Sequence, residues 1–397
     1  MTASQPGSLP RLAAGAMAMP HSGIREVIHV ALTQPGCIRL EVGEPDFATP
    51  AHIVEAACQA ARSGRVRYVG TAGMPSLREK ICAKVDRVNR IRARPEQINI
   101  GVGGIGVIAA AFAAMVGPGD EVLVPDPAWP CYELMLCALG ATIVPYALHA
   151  DRGYQPDLAE IEALVTPRTR VLVINSPGNP TGATFPRALL EGLVALAERR
   201  GLRVLSDECY DEVVFDAEHV SPASFAGSDR VISAFSFSKT YAMTGWRVGY
   251  LVSSPAFADV VNKIHESNIS CVSPACQMAA EAALDGPREP LLDMVAAYKS
   301  RRDLCVDLLS AADLLVARPG GAFYIMADVR RAGMNARDFA FDLLREKNVA
   351  VAPGTAFGKQ ALGAVRISLA SSEQALREGI GRLVAHVRER ERERATR

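Results

Sequence analysis

Between residues 97 and 253 short β-branched runs alternate with helical patterns, and no other feature limits the fold of this chain so tightly. The spacing predicts strands over 97–102, 121–125, 142–146, 169–175, 203–206, 230–235 and 248–253, with helices over 105–116, 130–139, 186–199 and 255–266. A strand, a helix and a further strand in repeating order build a mostly parallel sheet covered on both faces, so an α/β architecture with seven strands is expected.

The length of 397 residues exceeds the roughly 250–300 at which one core stops growing, so more than one domain is expected. The texture changes near residue 286. A large domain is assigned to 49–286, opening with Thr49-Pro50 as cap and first turn of a helix over 51–63. A smaller α+β domain is assigned to 287–397, with a long helix through Tyr298 and a strand beginning in Gly320-Gly321-Ala322-Phe323-Tyr324-Ile325. A helix over 336–346 and a strand over 364–369 complete it. Residues 1–48 form an N-terminal arm and part of the small domain, the first ten being polar and expected to be mobile. The sign-alternating run 388–394 reads as a solvated helix end.

Composition narrows the partners. Lys+Arg and Asp+Glu are both 43, so no net field favours nucleic acid or a membrane surface, and a small-molecule partner is expected. The nine cysteines show no metal-ligand spacing, Cys271 and Cys276 being the closest pair; no metal is expected, and inert thiols in a reducing compartment fit best. No stretch approaches the roughly 20 apolar residues of a membrane span, and residues 12–19 make a weak secretion signal. A cytoplasmic protein is the expectation.

Gly101-Val102-Gly103-Gly104-Ile105-Gly106 follows a predicted strand and opens a helix, with Asp126 at the end of the next strand. That imitates a dinucleotide fingerprint, and a nicotinamide dehydrogenase is one reading. The physics of the run is broader: glycines admit close approach of an anion to free N–H groups at a helix start, so any phosphate would fit. About 100 residues precede the run, whereas the fingerprint belongs on a first strand.

The remaining motifs need another explanation. Ser236-Phe237-Ser238-Lys239-Thr240 sets a lysine among hydroxyls, with Arg247 in Gly245-Trp246-Arg247 downstream. Asn175-Ser176-Pro177-Gly178-Asn179-Pro180-Thr181-Gly182, Asp207-Glu208-Cys209-Tyr210 and Pro127-Ala128-Trp129-Pro130 each follow a predicted strand end, where open α/β sheets bind ligands; Arg366 stands in a late apolar strand. A pyridoxal ring needs an amine for its aldehyde, an anion for its ring nitrogen, a donor to its phenolate, a stacking face and a phosphate site.

With these motifs in order from about residue 21 to 387, the chain resembles the class I/II aminotransferases, fold-type I enzymes dependent on pyridoxal 5'-phosphate. The resemblance implies that Lys239 condenses with the cofactor's aldehyde and shuttles the substrate's α-proton, and that Asp207 pairs with the ring nitrogen. It implies that Tyr210 and Asn179 bond the ring oxygen and that Trp129 stacks on the ring. Ser236, Ser238, Arg247 and the backbone of Gly103, Gly104 and Ile105 would hold the phosphate, family members often having a polar side chain at the Ile105 position. Tyr68 would reach the phosphate of a partner subunit, which makes a homodimer with shared active sites the expected assembly. Gly43, Trp129, Asn179 and Arg366 would meet the substrate, Arg366 clamping its α-carboxylate, while Tyr132, Met19, Ile24 and residues 270–274 would line its side-chain pocket and favour aromatic or aliphatic groups.

The activity so implied is transfer of an amino group from an L-amino acid to a 2-oxo acid by a ping-pong route. A lyase or cyclase on the same scaffold stays open. A ligand-sensing regulator is disfavoured, since about 40 residues before Gly43 are too few for a DNA-binding module. No second arginine for a side-chain carboxylate can be assigned.

Overall fold

The computed structural model describes residues 12–216, 218–226 and 229–396; the expectation for the first ten residues falls outside them. The large sheet runs, edge to edge, through Ile98–Val102, Val248–Val252, Val231–Ser236, Arg203–Asp207, Thr169–Asn175, Glu121–Asp126, Thr142–His149 and Gln155–Pro156. The five strands from Val231–Ser236 to Thr142–His149 are mutually parallel, and Val248–Val252 lies antiparallel between Ile98–Val102 and Val231–Ser236.

All seven expected strands are present, and an eighth corrects the count. Gln155–Pro156 pairs antiparallel with Leu148 and His149 at the edge. Two residues, one of them proline, carry no periodic signal, and proline is tolerated at an edge where no ladder N–H is needed. The central strands read as continuous apolar runs because helices cover both faces: Val171, Leu172, Val173 and Ile174 are fully buried.

Helices Gly23–Ala31, Pro75–Asn89 and Pro274–Asp285 were not expected. Pro75–Asn89 buries Leu77, Ile81 and Val85, one every fourth residue, so the signal was there, masked by the intervening charges. Thr49 does not cap the helix Ala51–Arg62, whose cap position is Pro50; its hydroxyl donates to the Ala242 carbonyl at 2.6 Å and accepts from Trp246 Nε1 at 3.1 Å. The hydroxyl is spent on tying the first long helix to the loop behind Lys239.

A second, three-stranded antiparallel sheet orders Tyr324–Asp328, Ala364–Ser368 and Ala352–Pro353, flanked by helices Glu289–Ala311 and Glu373–Ala395. Ile38–Arg39 pairs parallel with Val349–Ala350, so the N-terminal segment returns to this layer. Its core includes Tyr298, Phe323, Phe339, Leu343 and Leu383. Tyr324 opens the strand expected from 320, because the N–H groups of Gly320 and Gly321 both donate to Gly182 O, at 2.8 and 3.0 Å, as a turn. Those two bonds join the second sheet to the Asn179 loop of the first. The C-terminal run is less free than expected: Arg331 and Lys347 pair with Glu391 and Glu389.

Candidate active site

The parallel strands deliver their chemistry at one end. Strand 203–207 ends on Asp207, strand 231–236 on Ser236, and strand 169–175 runs straight into the Asn179 turn. Lys239 lies one helical turn past Ser236, whose Oγ accepts the Ser238 N–H at 3.1 Å and starts the short helix Phe237–Thr240.

Lys239 Nζ donates to Gly43 O at 2.7 Å and sits 5.7 Å from the centroid of the Phe323 ring. Burial, with smaller contributions from the Arg366 and Arg247 cations, brings its pKa down to about 8. A lysine tuned in this way holds a useful fraction of neutral amine near neutral pH, which is what attack on an aldehyde requires. Gly43 has no room for a side chain, since a Cβ there would lie 2.4 Å from the Tyr324 hydroxyl.

Asp207 is 4% exposed, and its Oδ1 accepts the Cys209 N–H at 3.2 Å while its Oδ2 accepts the Tyr132 hydroxyl. Burial raises the carboxyl above the usual carboxylate range in spite of both donors; a cationic ring nitrogen set against it would reverse that sign. Tyr132 thus corrects one expectation. It is fully buried behind the carboxylate and does not line a side-chain pocket, while Trp129 meets it edge-on with centroids 5.4 Å apart.

Arg366 is 2% exposed and has no carboxylate in ion-pair range among the described residues. Its Nη1 donates to Asn179 Oδ1 at 2.9 Å, its Nη2 to Glu41 O at 2.6 Å, and its Nε is buried without a partner. The guanidinium stacks 4.3 Å from the Tyr324 ring centroid. A buried cation left with only neutral acceptors has capacity for an anionic ligand. Tyr210 and Tyr324 share a hydrogen bond of 2.8 Å between their hydroxyls.

At the start of helix Gly103–Met115 the backbone is stripped for close approach. Gly103 has φ of +68°, and a Cβ on it would lie 2.6 Å from Arg247 Nη2; one on Gly104 would lie 2.6 Å from Cys209 Sγ. Gly249 has the same constraint against Gly103. Exposed Arg247, Ser236 and the free N–H groups at this helix end therefore surround one cradle. Ile105 beside it is 39% exposed.

The structure brings Lys239, Asp207, Tyr210, Asn179, Arg366 and Gly43 into one connected set and Ser236, Gly103, Gly104 and Arg247 into another beside it. Tyr68 stands apart, 89% exposed in the single chain. Met19 lines an apolar cavity with Val102 and Ile105, whereas Ile24 packs against the core that contains Phe357. Tyr324 and Phe323 were missed. Adjacent residues of a strand face opposite ways, and both are buried here because the strand is covered on both faces, so nothing in the Gly320–Ile325 string marked them as neighbours of Lys239.

The dehydrogenase reading fails on geometry. Strand Ile98–Val102 is an edge strand antiparallel to its only neighbour, and the Asp126 carboxylate accepts the N–H groups of Lys359 and Gln360, both at 3.1 Å, instead of standing open to a ribose. An α/β fold with a buried lysine of pKa about 8, a buried carboxylate at a strand end, a glycine-lined helix start beside Arg247 and a buried arginine with no carboxylate partner among the described residues fits the needs of pyridoxal 5'-phosphate, and so the class of enzymes that use it.

Residues 35–383 match the family model for aminotransferase class I and II. The arginine–pyruvate transaminase AruH of Pseudomonas aeruginosa is 38% identical over 87% of this chain and 88% of that protein. An aspartate aminotransferase of Thermotoga maritima is 38% identical over 87% of this chain and 90% of its own. Among solved structures, Thermus thermophilus aspartate aminotransferase with maleate superposes with a TM-score of 0.91 at 35% identity, covering 95% of this chain and all of that one. The aromatic aminotransferase of Pyrococcus horikoshii gives 0.87 at 35% identity over 92% and 99%. The chain belongs to the class I and II aminotransferases: it is a transferase of amino groups that uses pyridoxal 5'-phosphate. No helix among the described residues is long and apolar enough to cross a membrane.

Proposed function

We propose that Lys239 is the residue that bonds the cofactor and carries the α-proton, with amino-group transfer from an L-amino acid to a 2-oxo acid in two half-reactions. The observation that carries this reading is the pairing of a lysine with pKa about 8 and an arginine that has no anionic partner among the described residues, both bonded to the same short segment at Glu41 and Gly43. When bound, the cofactor supplies the electron sink that makes the α-proton labile. The chain supplies the rest. Asp207 holds the ring nitrogen's charge, Asn179 and Tyr210 face the ring oxygen, and Trp129 covers one face. Ser236, Ser238, Arg247 and the N–H groups of Gly103, Gly104 and Ile105 hold the phosphate, and Arg366 orients the α-carboxylate.

Asn179 supports this role by its bonding. With Oδ1 occupied by Arg366, its amide turns the Nδ2 donor the other way, as a phenolate needs. A largely apolar cavity of about 550 Å³ is lined by Met19, Val102, Ile105, Leu134 and Ile269, with His265 and Asn268 at its polar side. A homodimer is supported by exposed Tyr68 and by the extension of that apolar surface along Ala109 and Ala113. Nine free cysteines support a reducing, cytoplasmic setting. The two sheets support division into a large domain over 49–286 and a small domain built from 1–48 and 287–397.

Reduction of the holoenzyme with borohydride, followed by peptide mapping, tests the assignment: the label should fall on Lys239, and a label elsewhere would end it. Adding amino acids singly while following the visible spectrum separates transfer, which releases the 2-oxo acid with the amine kept on the cofactor, from a lyase, which releases ammonia.

A further inference from the structure

The segment Asp207–Glu212 carries four carboxylates in six residues, and all four are buried, between 0% and 9% exposed. Only Asp207 is accounted for by the cofactor site. Each of the others is tied to a different part of the fold. Glu208 meets His219 at 2.8 Å and the Ser221 hydroxyl at 3.0 Å; Glu212 pairs with Arg288 at the start of the long helix Glu289–Ala311. Asp211 Oδ2 pairs with Lys84 Nζ and accepts Asn89 Nδ2 at 3.0 Å.

Lys84 is the hub. It projects from the helix Pro75–Asn89, is 4% exposed, and donates also to Asn89 Oδ1 at 2.9 Å, with Glu212 Oε1 3.8 Å away. Its ammonium lies 5.0 Å from the centroid of Phe235, the residue before Ser236, and within electrostatic range of Tyr241, two residues past Lys239. Burial works against the cation, yet Asp211 and Glu212 outweigh it and the amine stays above the ordinary lysine range. One cation therefore sits behind three segments that bear the active site.

A buried ion pair brings little net stability over apolar residues of the same size, because desolvation offsets attraction. Its value here is geometric: Asp211 directly follows Tyr210, and fixing its carboxylate fixes the turn that presents the Tyr210 hydroxyl and the Asp207 carboxylate. We propose that Lys84 is a positioning residue of the cofactor site, acting through Asp211 to hold Tyr210 and Asp207 in register with Lys239. The inference rests on the cofactor contacts assigned above to Asp207 and Tyr210.

The test compares Lys84→Met with Lys84→Met/Asp211→Leu, reading the melting temperature of the apoenzyme and its dissociation constant for pyridoxal 5'-phosphate. The single variant strands a buried carboxylate, so both stability and affinity should fall. The double variant should regain the wild-type melting temperature while its dissociation constant stays at least about tenfold raised, one hydrogen-bond energy or more. A double variant that binds cofactor like wild type would show the network to be purely structural and overturn the proposal. If neither variant folds, Asn89→Ala decides: it removes one bond from each partner, so the melting temperature should fall and, in the folded variant, an affinity loss of about threefold is expected, no loss of affinity being the overturning result. Tyr210→Phe is run alongside. An unchanged dissociation constant there, with Lys84 variants impaired, would place the failure in the assignment of Tyr210 and not in the role of Lys84.

Discussion

Arg366 Nη1 and Asn179 Oδ1 are joined by a hydrogen bond of 2.9 Å across 187 positions of sequence. The residue assigned to the substrate's carboxylate thereby orients the residue assigned to the cofactor's ring oxygen. The two jobs are separable because Asn179 is also held from its backbone, its N–H donating to Asn175 Oδ1 at 2.8 Å. Arg366→Ala should therefore raise KM for the amino acid roughly 100-fold, the loss of a bidentate charge-assisted contact, and change cofactor affinity by less than about threefold. Steady-state kinetics and cofactor titration measure the two numbers. Equal cofactor loss from Arg366→Ala and Arg247→Ala would contradict the assignment.

Gly103 offers a cleaner test of the phosphate cradle. Any Cβ at φ of +68° costs about 1–2 kcal/mol, and here it would also displace the Arg247 guanidinium. Gly153, at φ of +65° with nothing within 4 Å of a built Cβ, isolates the strain alone. Alanine at either site should lower apoenzyme stability by a similar amount. Only Gly103→Ala should also raise the cofactor dissociation constant, by about tenfold for one displaced charged contact. A matching loss of affinity in Gly153→Ala would mean that the cradle is not where the phosphate binds.

What the sequence made legible divides by physical cause. Strand 169–175 was placed to the residue because a fully buried parallel strand is a continuous apolar run between turn residues, and Lys239, Asp207 and Asn179 became candidates because strand ends are where such sheets put ligands. The helix Pro75–Asn89 was missed although Leu77, Ile81 and Val85 repeat every fourth residue, since Lys84 and its charged neighbours made the stretch look solvated. Lys84 can be buried because Asp211 and Glu212, distant in sequence, neutralise it. The bond from Tyr132 to Asp207 was illegible for the same reason: periodicity marks Tyr132 as inward-facing but cannot name a partner 75 positions away.

Tyr132 gives a third prediction. Its hydroxyl is one of the donors to a fully desolvated carboxylate, so Tyr132→Phe should push the Asp207 proton affinity higher still. The ionised form needed to pair with the ring nitrogen is then lost at a higher pH. kcat/KM should drop roughly 10- to 100-fold, the range for one hydrogen bond to a charged group, and the acid limb of its pH profile should move upward. A lowered kcat/KM with the acid limb unmoved would point to packing around Trp129 as the cause.

The pH dependence of cofactor loading follows from Lys239. With a folded pKa of about 8, roughly a tenth of the amine is neutral at pH 7, against about 0.03% for an ordinary lysine at 10.5. The rate at which apoenzyme takes up pyridoxal 5'-phosphate should thus rise with pH up to about 8 and level off above it, instead of climbing through 10. The same shift carries a stability sign. Between about 8 and 10.5 the unfolded chain holds a proton at this lysine that the folded chain has released, so the apoenzyme gains stability from this group as pH rises through that window. Below it, burying the ammonium costs stability in full. Lys239→Met removes the titrating group, so the variant apoenzyme should melt above wild type at pH 7, and the gap should narrow as pH passes 8. Thermal melts of the two apoenzymes across pH 6–10 measure this, and a gap that stays constant would show that the lysine is not desolvated in the folded chain.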